Sequence, residues 1–153
     1  MRILAIFTCY NRKELTERSM KLLGENKDVV FDYVVVNDGS TDGTAEMLAA
    51  QPYQVDVLNG DGGLFWNRGM YMAIEHAKKK YPDYEYYMLM NDDTKFVPGI
   101  FDEMLPQLRK DTVLIGAIRG ENGELSYGGI KYVRASNIRN TAPRRRRFIL
   151  THS

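Results

Sequence analysis

Short apolar runs alternate with segments of helical periodicity along most of the chain. Apolar runs of this length are typical of strands that are buried on both faces of a sheet. They occur at 3–7, 33–36, 55–58, 86–90 and 113–115. Between them, apolar residues recur at helical spacing within 15–23, 45–49, 70–77 and 101–108. The alternation predicts an α/β fold, an open and mostly parallel sheet with helices on both faces.

Polar residues mark several predicted helix ends. Asn11 and Glu14 form an N-x-x-E pattern, which predicts that Asn11 caps the first helix. Gly24 is a suitable stop for that helix. Pro98 fits the first turn of the last predicted helix, whereas Pro106 is expected to kink or shorten it. No strand or helix signal is strong from residue 131 to residue 153.

Four polar or glycine-rich segments each follow a predicted strand. In open parallel sheets, ligands bind beyond the carboxyl ends of the strands. These segments are 11–12, 37–38, 60–63 and 91–93. The sequence therefore predicts one binding site at this edge of the sheet.

Two of these segments carry carboxylates. Asn91 and Asp93 point the same way in an extended chain, and Asp92 lies between them. Mg²⁺ and Mn²⁺ favour oxygen ligands, so this segment suits a metal–diphosphate site, although a solvated turn would look similar. Asp38 could accept hydrogen bonds from a base edge or a ribose hydroxyl, but an Asx-turn would also place an aspartate there.

The composition is that of one ordinary globular domain. The chain has 153 residues, of which 44% are hydrophobic and 27% are charged, which excludes collagen-like and disordered chains. Its single cysteine excludes an intrachain disulfide, and with two histidines it argues against structural zinc. We expect Cys9 to be a buried apolar residue rather than a nucleophile, in a reducing, cytoplasmic setting. No apolar run approaches the ~20 residues of a membrane span.

Charge is unevenly distributed. Residues 131–153 contain seven basic and no acidic side chains, and the net charge of the whole chain is +1, so residues 1–130 carry a net −6. The arginine run Arg144–Arg147 attracts polyanions in principle, but no stacking motif accompanies it, so nucleic acid is not expected. The favoured interpretation is a segment that leads into an acceptor region; peripheral contact with the inner face of a membrane is a second hypothesis.

Four ordered motifs resemble those of the family 2 glycosyltransferases. They are Thr8-Cys9-Tyr10-Asn11-Arg12, Val35-Val36-Asn37-Asp38-Gly39-Ser40-Thr41-Asp42-Gly43-Thr44, Gly60-Asp61-Gly62-Gly63-Leu64-Phe65-Trp66-Asn67-Arg68-Gly69-Met70 and Asn91-Asp92-Asp93. The third resembles the branch that includes bacterial rhamnosyltransferase-like enzymes. The resemblance covers about residues 1–130. It implies the GT-A fold, a nucleotide-diphosphate sugar donor, a saccharide or lipid-linked acceptor, and Mg²⁺ or Mn²⁺.

The resemblance also implies roles for individual residues. The donor-binding set is Thr8, Asn11, Arg12, Asp38, Gly62, Gly63, Asn67 and Asp92. Within this set Asp38 would contact the nucleobase. Asp93 would coordinate the metal, assisted by Asn91 or Asp92. Asn91 stands where the family's D-x-D pattern has its first aspartate, which predicts weaker metal binding.

No residues of the sequence are assigned to binding or activating the acceptor. The resemblance implies inversion at the anomeric carbon and a carboxylate base, but Glu121 and Glu124 are the last acids in the chain and neither is assigned this role. We therefore expect residues 1–130 to form a donor-binding domain. Residues 131–153 would be a basic tail or the start of a truncated acceptor region.

Two other function classes remain open at this stage. A non-catalytic nucleotide-sugar binding fragment would differ from the enzyme only in lacking the base. A nucleotidyltransferase would share the sheet and acidic residues, but it would normally have a glycine-rich basic loop after the first strand. Trp66 is expected to pack or to stack on a base or sugar.

Overall fold

The computed structural model describes residues 1–109, 112–119, 125–127 and 148–150. The strands are β1 Arg2–Cys9, β2 Val30–Asn37, β3 Val55–Asn59, β4 Tyr86–Leu89, β5 Leu114–Ile115, β6 Ile118–Arg119, β7 Leu125–Tyr127 and β8 Phe148–Leu150. The helices are α1 Lys13–Gly24, α2 Thr44–Ala49, α3 Phe65–Lys80 and α4 Ile100–Met104. A 3₁₀ turn over Leu105–Gln107 follows α4. The predicted α/β alternation is confirmed.

The main sheet is open and parallel. Within the described residues its strand order is β3-β2-β1-β4-β8-β5, and every neighbouring pair is parallel. Strands β6 and β7 form a separate antiparallel pair. The chain runs outward from β1 to β2 and β3 and then crosses to β4 on the other side. The carboxyl ends of β1 and β4 therefore meet where the strand order reverses, which is where such sheets bind ligands.

Alternating side chains of β1 build the core on both faces of the sheet. Ile3, Ala5 and Phe7 pack in the cluster that also contains buried residues of α1, α2 and α4. Leu4 and Ile6 pack in the other cluster, beneath the buried face of α3. Burial on both faces explains why β1 is a continuous apolar run, and it confirms the predicted placement of helices on both sides.

The chain reaches β8 from a segment where no strong strand was predicted. Phe148–Leu150 nevertheless pairs with Tyr87–Leu89 of β4 and with Leu114–Ile115 of β5. Three apolar residues are too few to show a period of two, and strand formation here depends on partners distant in sequence. The sequence expectation was wrong at this point.

Two helix-end predictions also need correction. Asn11 does not cap α1. Instead Asp42, in the turn after β2, accepts a hydrogen bond from the Lys13 N–H at 2.9 Å. Pro98 lies before Gly99, the residue that precedes α4, rather than in its first turn. Pro106 has the predicted effect, because α4 gives way to the 3₁₀ turn at Leu105.

Candidate functional site

The loops after β1 and β2 are tied together by Asn11. Its backbone has a φ of +50°. Its N–H donates to Ser40 Oγ at 3.0 Å, and its Oδ1 accepts from the Thr41 N–H at 2.8 Å. A positive φ suits asparagine better than most residues. Asn11 thus joins two loops that carry predicted donor-binding residues.

Asp38 organises the loop that leads into α3. The residue is buried, and its Oδ1 accepts from the Gly62 N–H at 3.0 Å. Its Oδ2 accepts from the N–H groups of Leu64 and Phe65, each at 3.0 Å. A Cβ at Gly60 would lie 2.3 Å from Asp38 Oδ1, so the loop can approach the carboxylate only with glycine there. One carboxylate therefore fixes the loop 60–65 and the start of α3.

Thr8 brings α3 against the end of β1. Its Oγ1 donates to the Val36 carbonyl at 3.2 Å. A Cβ at Gly69 would lie 2.5 Å from Thr8 Oγ1. Gly69 therefore permits a close approach of helix and strand beneath the site.

The loop after β4, residues 91–93 and here called the acidic loop, pairs with Arg12. The Arg12 guanidinium lies 2.6 Å from Asp93 Oδ2 and 3.6 Å from Asp92 Oδ1. Burial raises the pKa of Asp92 to about 6, and Asp93 adds to the rise whereas Arg12 opposes it. Asp93 Oδ1 is buried, and no described residue supplies it with a hydrogen-bond partner. The loop thus presents two neighbouring carboxylates, and Asp93 Oδ1 is available to bind a ligand.

Asn91 is linked to Trp66 across the site. Its Oδ1 accepts from the Trp66 indole N–H at 2.9 Å. The expected role of Asn91 beside the metal remains a prediction, and in this structure the amide oxygen positions the indole. Sequence reasoning missed this pair because a hydrogen bond between residues 25 positions apart leaves no local pattern.

A cavity of about 350 Å³ joins these groups. It is lined by Thr8, Cys9, Tyr10, Arg12, Asp38, Gly62, Phe65, Trp66, Asn91, Asp92 and Asp93. The structure therefore brings together most of the predicted site residues. Asn11, Gly63 and Asn67 lie outside this lining, and their roles toward a donor stay predictions.

Cys9 has the environment expected of a buried apolar residue. It is 3% exposed. Burial, aided by the nearby Asp92 charge, raises the pKa of its thiol to about 12. A thiol with so high a pKa is not ionised at neutral pH and is a poor nucleophile. The residue forms part of the floor of the cavity.

The acidic loop fits a divalent cation that is completed by a substrate. Among the described residues, no group of three or more Cys, His, Asp or Glu side chains could hold a metal ion alone. Mg²⁺ and Mn²⁺ are commonly bound through one or two carboxylates together with substrate phosphates. Asp92 and Asp93 provide that number, and the unpartnered Asp93 Oδ1 is available as a ligand. These carboxylate ligands therefore fit Mg²⁺ or Mn²⁺, the cations that the sequence predicts.

The fold and the site define a class: a Rossmann-like α/β domain whose polar loops lie at the sheet edge where open parallel sheets bind their ligands. Within that class, the chain belongs to glycosyl transferase family 2, which it matches over residues 5–152. The match extends beyond residue 130, where the motif resemblance fades. Family membership and the GT-A fold are thereby confirmed.

Several curated relatives are bacterial polysaccharide synthases. The poly-beta-1,6-N-acetyl-D-glucosamine synthases of Staphylococcus aureus strains COL, MRSA252 and N315 are each 29% identical to the chain over 115 residues. The aligned region is 75% of this chain but only 27% of each synthase, so the chain spans about a quarter of their length. No solved structure matches the chain. In the described part of the chain, no helix has the length and apolar character needed to cross a membrane.

Proposed function

We propose that this domain transfers a sugar from a nucleotide-diphosphate donor to a saccharide or lipid-linked acceptor, with the help of Mg²⁺ or Mn²⁺. Family membership supports sugar transfer over the nucleotidyl transfer that the sequence left open. The polysaccharide-synthase relatives support a saccharide acceptor.

The charge balance of the cavity is the observation that carries this proposal. Three carboxylates line the cavity, those of Asp38, Asp92 and Asp93. Among the described lining residues, Arg12 has the one cationic side chain, and it already pairs with Asp92 and Asp93. An anionic diphosphate would be repelled from such a site unless a cation accompanied it. The acidic loop thus suits a donor that binds together with a divalent cation.

Asp38 has one lone-pair site left to accept a hydrogen bond from a nucleobase, in addition to its hydrogen bonds with the loop. A carboxylate offers about four lone-pair sites. Three of them accept from the amides of Gly62, Leu64 and Phe65, with one bond on Oδ1 and two on Oδ2. We propose that the base edge bonds to the remaining Oδ1 site, and that Thr8 and Gly62 line the same part of the pocket. Asn11, Gly63 and Asn67 would contribute through the conformation of the surrounding loops.

The reaction breaks the bond between the anomeric carbon and the diphosphate oxygen. A bound cation supplies Lewis-acid stabilisation of the leaving diphosphate. Asp92 and Asp93 would hold that cation, while Arg12 would turn to the diphosphate and bind it directly. The acceptor hydroxyl attacks the opposite face, which inverts the anomeric carbon, and its proton passes to a base. Glu121 and Glu124, the last acids in the chain, lie outside the described residues, and neither is assigned as this base.

Calorimetric titration of the chain with UDP, GDP and dTDP, each with and without Mn²⁺, tests the donor site. We expect one nucleoside diphosphate to bind, and to bind more tightly with Mn²⁺. Absence of binding by all three would contradict the proposal. Formation of a glycoside from the matching donor and an acceptor would then separate a transferase from a non-catalytic binding fragment.

Asp93→Ala tests the metal assignment. We expect Mn²⁺-dependent nucleotide binding to weaken on the order of tenfold or more, because the cation loses its main ligand. The melting temperature should change little, since Asp93 lies in a loop. Asp102→Ala is the control, because this exposed aspartate lies in the first turn of α4. Equal nucleotide affinity in the two variants would refute the assignment.

We further propose that the protein acts in the cytoplasm, at the inner face of a membrane if its acceptor is lipid-linked. Arg144–Arg147, the residues expected to contact such a surface, lie outside the described residues. Cosedimentation with anionic liposomes at low and moderate salt tests this contact, which should weaken as salt rises.

A further inference from the structure

Two large aromatic side chains stand at the open rim of the cavity. Phe65 is 78% exposed and Trp66 is 55% exposed, and both line the same cavity as the acidic loop. An exposed pair of neighbouring aromatic side chains is typical of a binding surface, because covering such a large apolar area releases water from it. Their position indicates a surface that is covered when a substrate binds.

The backbone holds Phe65 in a strained conformation. Its φ is +53°, a region that bulky residues rarely adopt, at a cost of about 1–3 kcal/mol. The hydrogen bond from the Phe65 N–H to the buried Asp38 carboxylate keeps it there. Glycine would adopt this conformation without strain. A phenylalanine that is strained and also exposed to water contributes little to the fold, so its ring is more readily explained by binding.

Trp66 is fixed beside the acidic loop. Its indole N–H donates to Asn91 Oδ1 at 2.9 Å, and Asn91 directly precedes Asp92 and Asp93. The bond anchors the edge of the indole and leaves the side chain more than half exposed. The Trp66 indole thus lies at the end of the cavity proposed for the metal and the diphosphate, whereas the backbone of Phe65 is bonded to Asp38.

We propose that Phe65 and Trp66 form the surface on which a pyranose ring of the acceptor saccharide stacks. This inference rests on the proposed sugar transfer. A pyranose has an apolar face of C–H groups, which matches an exposed aromatic ring, and its hydroxyl groups at the ring edge remain free to react. An acceptor ring stacked here would place a hydroxyl near the donor sugar, whose diphosphate is expected at Asp92 and Asp93.

Position and exposure favour the acceptor over the nucleobase as the occupant. The base is expected beside Asp38 and Thr8. Phe65 contacts Asp38 through its backbone N–H, but its side chain is exposed, and the Trp66 indole is held at the acidic loop. The rim also faces solvent, which is the side from which an acceptor can approach a donor that is already bound beneath it.

Fluorescence of Trp66 reports directly on this surface, because it is the one tryptophan among the 153 residues. The full chain is titrated with the methyl glycosides of N-acetylglucosamine, glucose, galactose and rhamnose. Each titration is done with and without Mn²⁺ and each of UDP, GDP and dTDP. We expect at least one glycoside to shift or quench the emission saturably. A change caused by a nucleotide alone, with no further response to any glycoside, would assign the surface to the base and overturn the proposal.

Variants at Phe65 separate stacking from a structural effect. Phe65→Gly removes the ring at a backbone position where glycine is unstrained, and it should raise the half-saturating glycoside concentration about tenfold. Phe65→Tyr keeps a ring and should bind as the unmodified chain does. Tyr71→Ala is the matched control, because Tyr71 is a 70% exposed aromatic residue of the same helix outside the cavity lining.

The outcomes distinguish this inference from the function on which it rests. Calorimetric nucleotide binding without any glycoside response would leave the proposed function intact and overturn the stacking surface. Equal responses in Phe65→Gly and Tyr71→Ala would also overturn it. A response to anionic vesicles but to none of the glycosides would assign the surface to a membrane instead. Loss of nucleotide binding in the unmodified chain would contradict the proposed function itself.

Discussion

Arg12 is the residue on which the electrostatics of the site depend most directly. Its guanidinium lies 2.6 Å from Asp93 and 3.6 Å from Asp92, where a divalent cation would also be attracted. The side chain is about half exposed, so it can leave this position at modest cost. Without a substrate, Arg12 therefore neutralises the carboxylates that the proposed function assigns to the cation.

Arg12→Gln should strengthen Mn²⁺ binding to the nucleotide-free chain. Loss of the competing guanidinium is expected to raise affinity about fivefold, the factor that corresponds to ~1 kcal/mol. Nucleotide affinity at saturating Mn²⁺ should fall, because the diphosphate loses a cationic partner. Calorimetry measures both quantities, with Arg18→Gln on the exposed face of α1 as the control. Unchanged Mn²⁺ affinity would mean that Arg12 does not compete for the carboxylates.

At the scale of elements, β3 and α3 are joined by a polar cluster as well as by apolar contacts. Asp56 of β3 lies 2.7 Å from His76 Nε2 and 2.8 Å from Lys80 Nζ. It also accepts from the Tyr81 hydroxyl at 3.1 Å. Burial opposes ionisation of Asp56, but these hydrogen bonds outweigh it, so its pKa is lowered. The cluster therefore holds the end of α3 to an outer strand of the sheet.

Asp56→Asn should destabilise the protein at neutral pH but not in acid. A lowered pKa in the folded state stabilises the fold above the ordinary aspartate pKa, and that stability is lost as the pH falls through the lowered value. We expect a loss of about 1 kcal/mol at neutral pH, which disappears once the pH has fallen below the lowered pKa of Asp56. Urea unfolding at several pH values measures it, with the exposed Asp83→Asn as control. A loss that persists in acid would show that charge is not the cause.

Element type was predictable from sequence where the pattern was local and repeated. The strand β1 and the helix α3 follow directly from a buried apolar run and from apolar residues at helical spacing. The predicted cap of α1 was wrong because Asp42, from another loop, accepts the hydrogen bond at the start of the helix that was expected of Asn11. The position of Asp38 at a strand end was predictable, but the three amides that it binds were not, because they belong to a loop 24 or more residues away.

At the scale of the whole molecule, β8 makes β4 an interior strand. Tyr87–Leu89 of β4 pairs with Phe148–Leu150 on the side opposite β1. The acidic loop directly follows β4, so β8, the last of the described strands, supports the strand that presents the carboxylates. This long-range pairing could not be predicted from a three-residue apolar segment.

Removal of residues 148–153 should therefore loosen β4 and the site. We expect a loss of stability on the order of 2 kcal/mol, from a few ladder hydrogen bonds at about 1 kcal/mol each. Amide hydrogen exchange should accelerate at 87–89, whereas 34–36 in β2 should remain protected. Removal of residues 151–153 alone is the control. Equal exchange at 87–89 in both shortened chains would show that β8 does not stabilise β4.

The hydrogen bonds between Asp38 and the loop 60–65 have an evolutionary consequence. Its carboxylate binds backbone N–H groups, which every residue type except proline provides. The side chains at 65 and 66 can therefore change while the anchor beneath them is retained. Related chains could diversify at these two positions and so acquire preferences for other sugars, without rebuilding the half of the pocket that recognises the donor.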